Sequence, residues 1–185
     1  MINLNFETLS EIETNRLILR PVNADDVEAV FEIRSNPITM HFIPRPMAEN
    51  LGDAMAVIQL IDEGIANKTR INWAITLKEN TQQLIGIIGF VKINQDNQRA
   101  EIGYVLNENF QKRGIMLEAV NAIVEFGFQQ FNFHSIEAVI NPQNQPSIGV
   151  VTKCGFTKDA YFKDYTFHNN QYTDALVFSK VVNQF

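Results

Sequence analysis

Residues 99–140 do more than any other stretch to restrict the fold. "RAEIGYVL" (Arg99–Leu106) alternates with the period of a strand, with Ala100, Ile102, Tyr104 and Leu106 on one face and Glu101, Gly103 and Val105 on the other. "NFQKRGIMLEAV" then opens a long helix ending near Phe131, whose apolar stripe is Met116, Ala119, Val120, Ile123, Val124 and Gly127. "SIEAVI" (Ser135–Ile140) is a strand again. Two strands joined through a helix return to one sheet by a crossover, so they run parallel and lie side by side or nearly so.

The flanking segments add strands and helices to that unit. "RLILRPV" (Arg16–Val22) is a short strand closed by Pro21, and "NADDVEAVFEIRSN" is a helix capped by Asn23 and ended at Asn36-Pro37. After the loop "MHFIPRP", a second helix is predicted from about Met47 to Asn67, with Val57, Leu60, Ile61 and Ile65 on one side. "RINWAITL" turns Ile71, Trp73, Ile75 and Leu77 to one face, while "QLIGIIGFVKI" is apolar almost throughout, as a central strand covered on both faces should be. Asp96-Asn97 supplies a hairpin turn into the strand at Arg99. "NPQNQPSIGVVTKCGF" reads as a loop and short helix stopped by Gly155, and "AYFKDYTFHN" and "YTDALVFSKVV" as a hairpin about Asn169-Asn170. The sum is an α/β (α+β) mixed sheet with helices on both faces.

No repeat, low-complexity tract or linker divides the 185 residues, so 1–185 reads as one domain with its core at about 14–182. The net charge of −6 argues against a general nucleic-acid binder and leaves cationic partners open. A polyanionic ligand would need a local positive pocket within that acidic background. Cys154 is the sole cysteine, which excludes an internal disulfide and a cysteine-based zinc cluster and suggests a packed thiol. "MINLNFETLSEIE" lacks the basic and apolar regions of a signal peptide, and no apolar run reaches membrane-spanning length. These features predict a cytoplasmic protein with no membrane partner and no metal.

Gly114 at the mouth of the long helix has two readings. It is either a turn glycine in a charged loop, or the seat of an anion held by free backbone N–H groups. Gln111 can donate hydrogen bonds there, and Lys112 and Arg113 add charge beside the positive end of the helix dipole. Neither GxxxxGK[ST] nor GxGxxG is present, which sets aside the two common phosphate loops. Asn141, Asn144 and Ser147 follow the next strand. The crossover brings that segment and Gly114 to the carboxyl ends of their strands, where open sheets place ligands.

Taken together, "NRLILRPVNADDVEAVFEI", "AEIGYVL", "QKRGIM" and "NPQNQPSIGVVTKCGF" resemble the Gcn5-related N-acetyltransferase superfamily over essentially the whole chain. "QKRGIM" is similar to that family's pyrophosphate motif (Q/R)-x-x-G-x-(G/A), and the set resembles the branch of the ribosomal-protein N-terminal acetyltransferases. The resemblance implies a mixed, mostly antiparallel twisted sheet of about 6–7 strands with helices on both faces. It also implies acetyl-CoA as co-substrate, contacted by Tyr104, Val105, Leu106, Gln111, Lys112, Arg113, Gly114, Ile115, Met116, Asn144 and Ser147. Met116 departs from the Gly or Ala of the general motif and is expected to limit the approach of a diphosphate, although the branch tolerates it. Many members carry a tyrosine acid at the position that is Val151 here, and Ser147, one turn earlier, is the alternative.

In this reading Glu101 is the base that takes the amine's proton, through a water, and Ser147 is the partner of the departing thiolate. Asn144 would meet the amides of the pantetheine arm. The alternatives stay open: a solvated Glu101, an ordinary N-terminal helix serine, and a capping Asn144. The favoured acceptor is a protein N-terminal α-amine, with a polyamine, amino acid or aminoglycoside second and a non-catalytic acyl-CoA-binding module third. His41 lies in a loop able to border the acceptor site, whereas His134 and His168 read as local hydrogen-bonding residues. Monomer and homodimer are equally compatible with the chain.

Overall fold

A computed structural model describes residues 10–182, so most of the N-terminal segment read for a leader lies outside the described residues. The strands are β1 (Ile12–Glu13), β2 (Leu17–Pro21), β3 (Ile71–Leu77), β4 (Gly86–Asn94), β5 (Arg99–Leu106), β6 (Ser135–Ile140), β7 (Thr157–His168) and β8 (Gln171–Val181). The helices are α1 (Val27–Ser35), α2 (Pro37–Met40), α3 (Leu51–Ala66), α4 (Ile115–Gln130) and α5 (Gln145–Lys153). One sheet runs β1-β2-β3-β4-β5-β6-β8-β7, with β5–β6 its parallel pair and every other pair antiparallel.

Eight strands replace the expected six or seven. The addition is β1, whose two residues pair with Ile18 and Leu19 but are too few to show an alternation. The loop expected after Pro37 contains α2: the Asn36 side chain accepts from Ile38 N–H and Thr39 N–H, and Pro37 sits at the first helical position, where its missing N–H is harmless. α3 begins four residues later than predicted because Asn50 and Asp53 form a reciprocal capping box. Its buried stripe is accordingly Ala54, Ile58, Ile61 and Gly64, and Leu60 is 49% exposed at the stripe's edge.

β5 sorts two cores. Ala100, Ile102 and Leu106 enter the larger one beneath α4, with Tyr104 packed against it, while Val105 meets the smaller one beneath α1 and α3. All six residues of the predicted α4 stripe are buried. Deleting Ile123 to Ala would cost about 2–5 kcal/mol, because a fully enclosed side chain leaves a cavity that closes only in part. The final hairpin turns at Asn169 and Asn170, both with positive φ, as a two-residue turn between twisted strands requires.

The decisive irregularity is in the parallel pair. β5 and β6 pair only at Arg99–Ser135, Ala100–Ile136 and Glu101–Glu137. Opposite this point β4 carries one extra residue, Val91, between Phe90–Ile102 and Lys92–Glu101. Gly103 accommodates it, since a Cβ there would lie 2.7 Å from Val91 Cγ1. A bulge bends its strand and increases local twist. Beyond Glu101, β5 stays with β4, β6 continues with β8, and the sheet opens between them.

Candidate active site

The N-terminus of α4 stands at one side of this opening. Gly114 has φ +76°, a left-handed conformation that suits glycine, and it caps the helix without a side chain. Lys112 also has positive φ, 61°. The N–H groups of Ile115, Met116 and Leu117 find no acceptor among the described residues, so they point outward as the first turn of any helix must. The loop is braced from β2's start: Arg16 Nη1 donates to the Arg113 carbonyl at 3.0 Å, and Arg16 Nε donates to Glu118 at 2.7 Å. Glu118 also accepts from Thr14 Oγ1 at 2.6 Å and Arg16 N–H at 2.7 Å. Burial works to raise the Glu118 carboxyl, but these hydrogen bonds and the Arg16 charge together hold it below its ordinary value.

Two chambers lie in the opening. The larger, about 900 Å³, has Lys112, Gly114, Ile115 and Met116 in its wall. The smaller, about 440 Å³, is bordered by Glu101 and Gly103 together with residues from α1, α3, β3 and the final hairpin. Tyr104, Val105, Asn144 and Ser147 line both. At that junction the Tyr104 hydroxyl and Ser147 Oγ are 2.6 Å apart, and either can donate. Burial pushes the Tyr104 phenol up to about 12, against the lowering effect of the Ser147 hydrogen bond, so it keeps its proton at neutral pH. Burial also raises the Glu101 carboxyl, as does Glu137, while Lys92 and Arg45 work the other way. A carboxylate so placed takes up a proton more readily than an exposed one.

The residues singled out in the sequence divide among these parts. Gln111 lines the larger chamber but spends a donor on the Leu106 carbonyl, tying the loop to the end of β5 at 3.1 Å. Arg113 lies outside the chamber wall, its guanidinium 5.3 Å from the Phe110 ring centroid. Met116 is 9% exposed and packs into the larger core while also contributing to the wall of the larger chamber. Asn144 caps α5, its Oδ1 accepting from Ser147 N–H at 3.2 Å, which holds Ser147 in the first turn beside Tyr104. Val151 is fully buried in the larger core. His41 lines the larger chamber and not the smaller one, and His134 and His168 line neither.

Cys154 is buried, and desolvation raises its thiol to about 11, so it is a packed group. Among the described residues no group of three or more His, Cys, Asp or Glu could hold a metal ion, and no helix is long and apolar enough to cross a membrane. Sequence reasoning missed the Tyr104–Ser147 pair, the Arg16 brace and the part of Arg34 and Arg70 in the smaller chamber, while Arg45 lies in the loop expected to border the acceptor site. Only Arg16 carried a signal, as a charged residue at the start of a buried strand.

The sheet is thus split at its parallel pair, with a helix N-terminus at one mouth and a second chamber beyond. The family model described as an acetyltransferase (GNAT) domain matches residues 16–157. The chain belongs to the GNAT family of acetyltransferases. It is 32% identical over 181 residues to the uncharacterized N-acetyltransferase p20 of Bacillus licheniformis, covering 96% of this chain and 99% of that one. The crystal structure of a GNAT-family acetyltransferase from Bacillus anthracis superposes with a TM-score of 0.82 at 28% identity, over 93% of this chain and 98% of the other. Escherichia coli relatives with named acceptors include the following two. The ribosomal-protein-serine acetyltransferase is 30% identical over 101 residues, 55% of this chain and 56% of that one. The spermidine N(1)-acetyltransferase is 22% identical over 158 residues, 85% and 82%.

Proposed function

We propose that the protein is an acetyl-CoA-dependent N-acetyltransferase that acts by direct attack of a primary amine in a ternary complex, with a protein N-terminal α-amine as its favoured acceptor. The observation that carries this reading is the meeting of two chambers at Tyr104 and Ser147, one with an anion seat and one with a raised carboxyl. The residues present fit a coenzyme A diphosphate: Gly114 offers an open left-handed turn, and three outward N–H groups lie at the positive end of α4. Lys112 supplies local positive charge on an acidic protein. The bound co-substrate would supply a thioester, which is open to attack by a neutral amine.

The chain's own groups then have distinct tasks. β5 beyond Glu101 has no ladder partner on its β6 side, so its backbone there is free to align a ligand chain and to donate to a developing oxyanion. Asn144 Nδ2 is available for the same alignment while Oδ1 holds Ser147. Glu101 takes the amine's proton, directly or through water. For an α-amine, with a pKa of about 7.7–8.0, a fair share is already neutral and Glu101 contributes less than it would for a more basic amine. Ser147 hydrogen-bonds the departing thiolate. Tyr104, the proton-retaining partner of Ser147, backs it as donor.

A small-molecule amine is the second reading, favoured by the likeness to a spermidine acetyltransferase over most of the chain. Thiol release from acetyl-CoA, measured against N-terminal peptides of ribosomal proteins, polyamines, amino acids and aminoglycosides, separates the two. Binding of acetyl-CoA without thiol release on any amine rejects catalysis and leaves an acyl-CoA-binding module.

A further inference from the structure

The smaller chamber contains a charge pattern that the transfer reaction does not explain. Arg34 from α1, Arg45 from the loop after α2 and Arg70 immediately before β3 all line it. Among the described residues none of the three guanidinium groups has an ion pair or a side-chain hydrogen bond, although four other ion pairs are formed. Arg34 Nε is buried and without a partner, a donor left unsatisfied. Asn72, 5% exposed, also lines the chamber, and its Oδ1 is buried without a donor.

The three arginines share one cavity wall, and burial first, then the Arg45 charge, presses both Arg34 and Arg70 below their ordinary values. Like charges held together beside buried donors lose free energy unless an anion joins them. The acids on the same walls do not fill that role. Asp174 accepts from the Tyr161 hydroxyl and from Asp164 N–H. Glu101 feels Arg45 but forms no ion pair. Glu137, the strand neighbour of Glu101, lies outside the wall and pairs with Arg99 at 3.0 Å.

We propose that this chamber receives an acceptor that carries an anionic group, a carboxylate or a phosphate, beside its amine. The inference rests on the transfer reading for the identity of the chamber and deepens it by naming the chemistry of the acceptor. The guanidinium groups of Arg34, Arg45 and Arg70 hold the anion, and their planar donors suit either oxyanion. Asn72 Oδ1 and Glu101 face the ammonium end before its proton leaves. A polyamine, cationic along its length, has nothing for the arginines and is repelled by them. An amino acid, an aminoacyl phosphoester or an α-amine followed closely by an acidic side chain satisfies both ends.

The test uses the full chain and pairs of probes that differ only in charge. Alanyl-glutamate is compared with alanyl-glutamine amide, and O-phosphoethanolamine with ethanolamine, which separates carboxylate from phosphate; spermidine is the cationic reference. Each is titrated calorimetrically into protein saturated with CoA, and each is assayed for thiol release from acetyl-CoA. The anionic member of at least one pair should bind at least tenfold more tightly than the twin that lacks the anionic group. Arg45→Gln, an exposed position, should cut that advantage at least threefold while leaving the Kd for acetyl-CoA unchanged, and Arg34→Gln should do the same if circular dichroism shows it folded. Equal binding of the twins, no binding of either, tighter binding of spermidine, or an advantage that survives Arg45→Gln overturns the proposal. Selective binding lost in Arg45→Gln, with no thiol release on any amine, upholds the anion site and rejects the transfer reading.

Discussion

The larger chamber draws its proposed anion seat from one continuous stretch, Gln111–Leu117, and much of what it offers comes from the backbone: a left-handed glycine and three outward N–H groups. The smaller chamber has no such stretch. Arg34, Arg45, Arg70, Asn72 and Glu101 come from α1, a loop, the residue before β3, β3 and β5, and each contributes a side chain. A backbone site needs only a local conformation and can serve every member of a family that handles one co-substrate. A side-chain site needs a particular assembly, and it can vary without disturbing the first.

The junction tests whether the two chambers work as one. Replacing Tyr104 and Ser147 together by Phe and Ala should lower kcat about 100-fold, the lower end for loss of proton donation, with little change in the Kd for acetyl-CoA. A double variant with undiminished kcat would remove this pair from the chemistry. Gly114→Val separates the chambers next. Its left-handed φ is strained for a β-branched residue by about 1–3 kcal/mol, so acetyl-CoA binding should weaken by about tenfold or more while acceptor KM stays within about twofold. A matching rise in acceptor KM would show that the chambers are not independent.

Glu101→Gln should act on the smaller chamber alone. The rise of its pKa by burial and by Glu137, against Lys92 and Arg45, means the acid limb of kcat/KM lies above the ordinary carboxylate range, and the amide should flatten that limb. An unchanged pH profile rejects Glu101 as base. The stability effect has the opposite sign to a salt-bridged carboxylate. The folded state holds the Glu101 proton more tightly than the unfolded chain, so stability is lost as pH rises from the ordinary carboxylate value through the raised one. Glu101→Gln should therefore melt higher than wild type at neutral pH, and the difference should vanish toward acid pH. The smallest effect belongs to Arg16→Gln. Its ion pair with Glu118 is 46% exposed on the arginine side, so only about 1 kcal/mol of stability is at stake, with a loss of up to about fivefold in acetyl-CoA affinity as the loop loosens.

Legibility in the sequence followed the same division. Gly114, the α4 stripe and the two faces of β5 could be read because each depends on neighbours within a few residues. Asn144 was legible as polar, but its place as the cap that positions Ser147 depends on the turn it closes. Met116 departed from its motif on paper, and only packing against the larger core showed where its bulk goes. The two-residue β1 and the four-residue α2 escaped notice because neither is long enough to display a period.

The sequence by itself determined the strand–glycine–helix–strand unit, hence the parallel pair and the glycine at the helix mouth, since periodicity and backbone conformation are local. Tertiary structure alone decided that this pair separates after Glu101, where a different strand carries an extra residue, Val91, whose side chain lies over Gly103. It also decided that Tyr104 meets Ser147 across 43 positions. The gathering of three unpaired arginines in one chamber has the same origin. Contacts between distant segments are set by how sheets twist and helices pack, and no period along the chain records them.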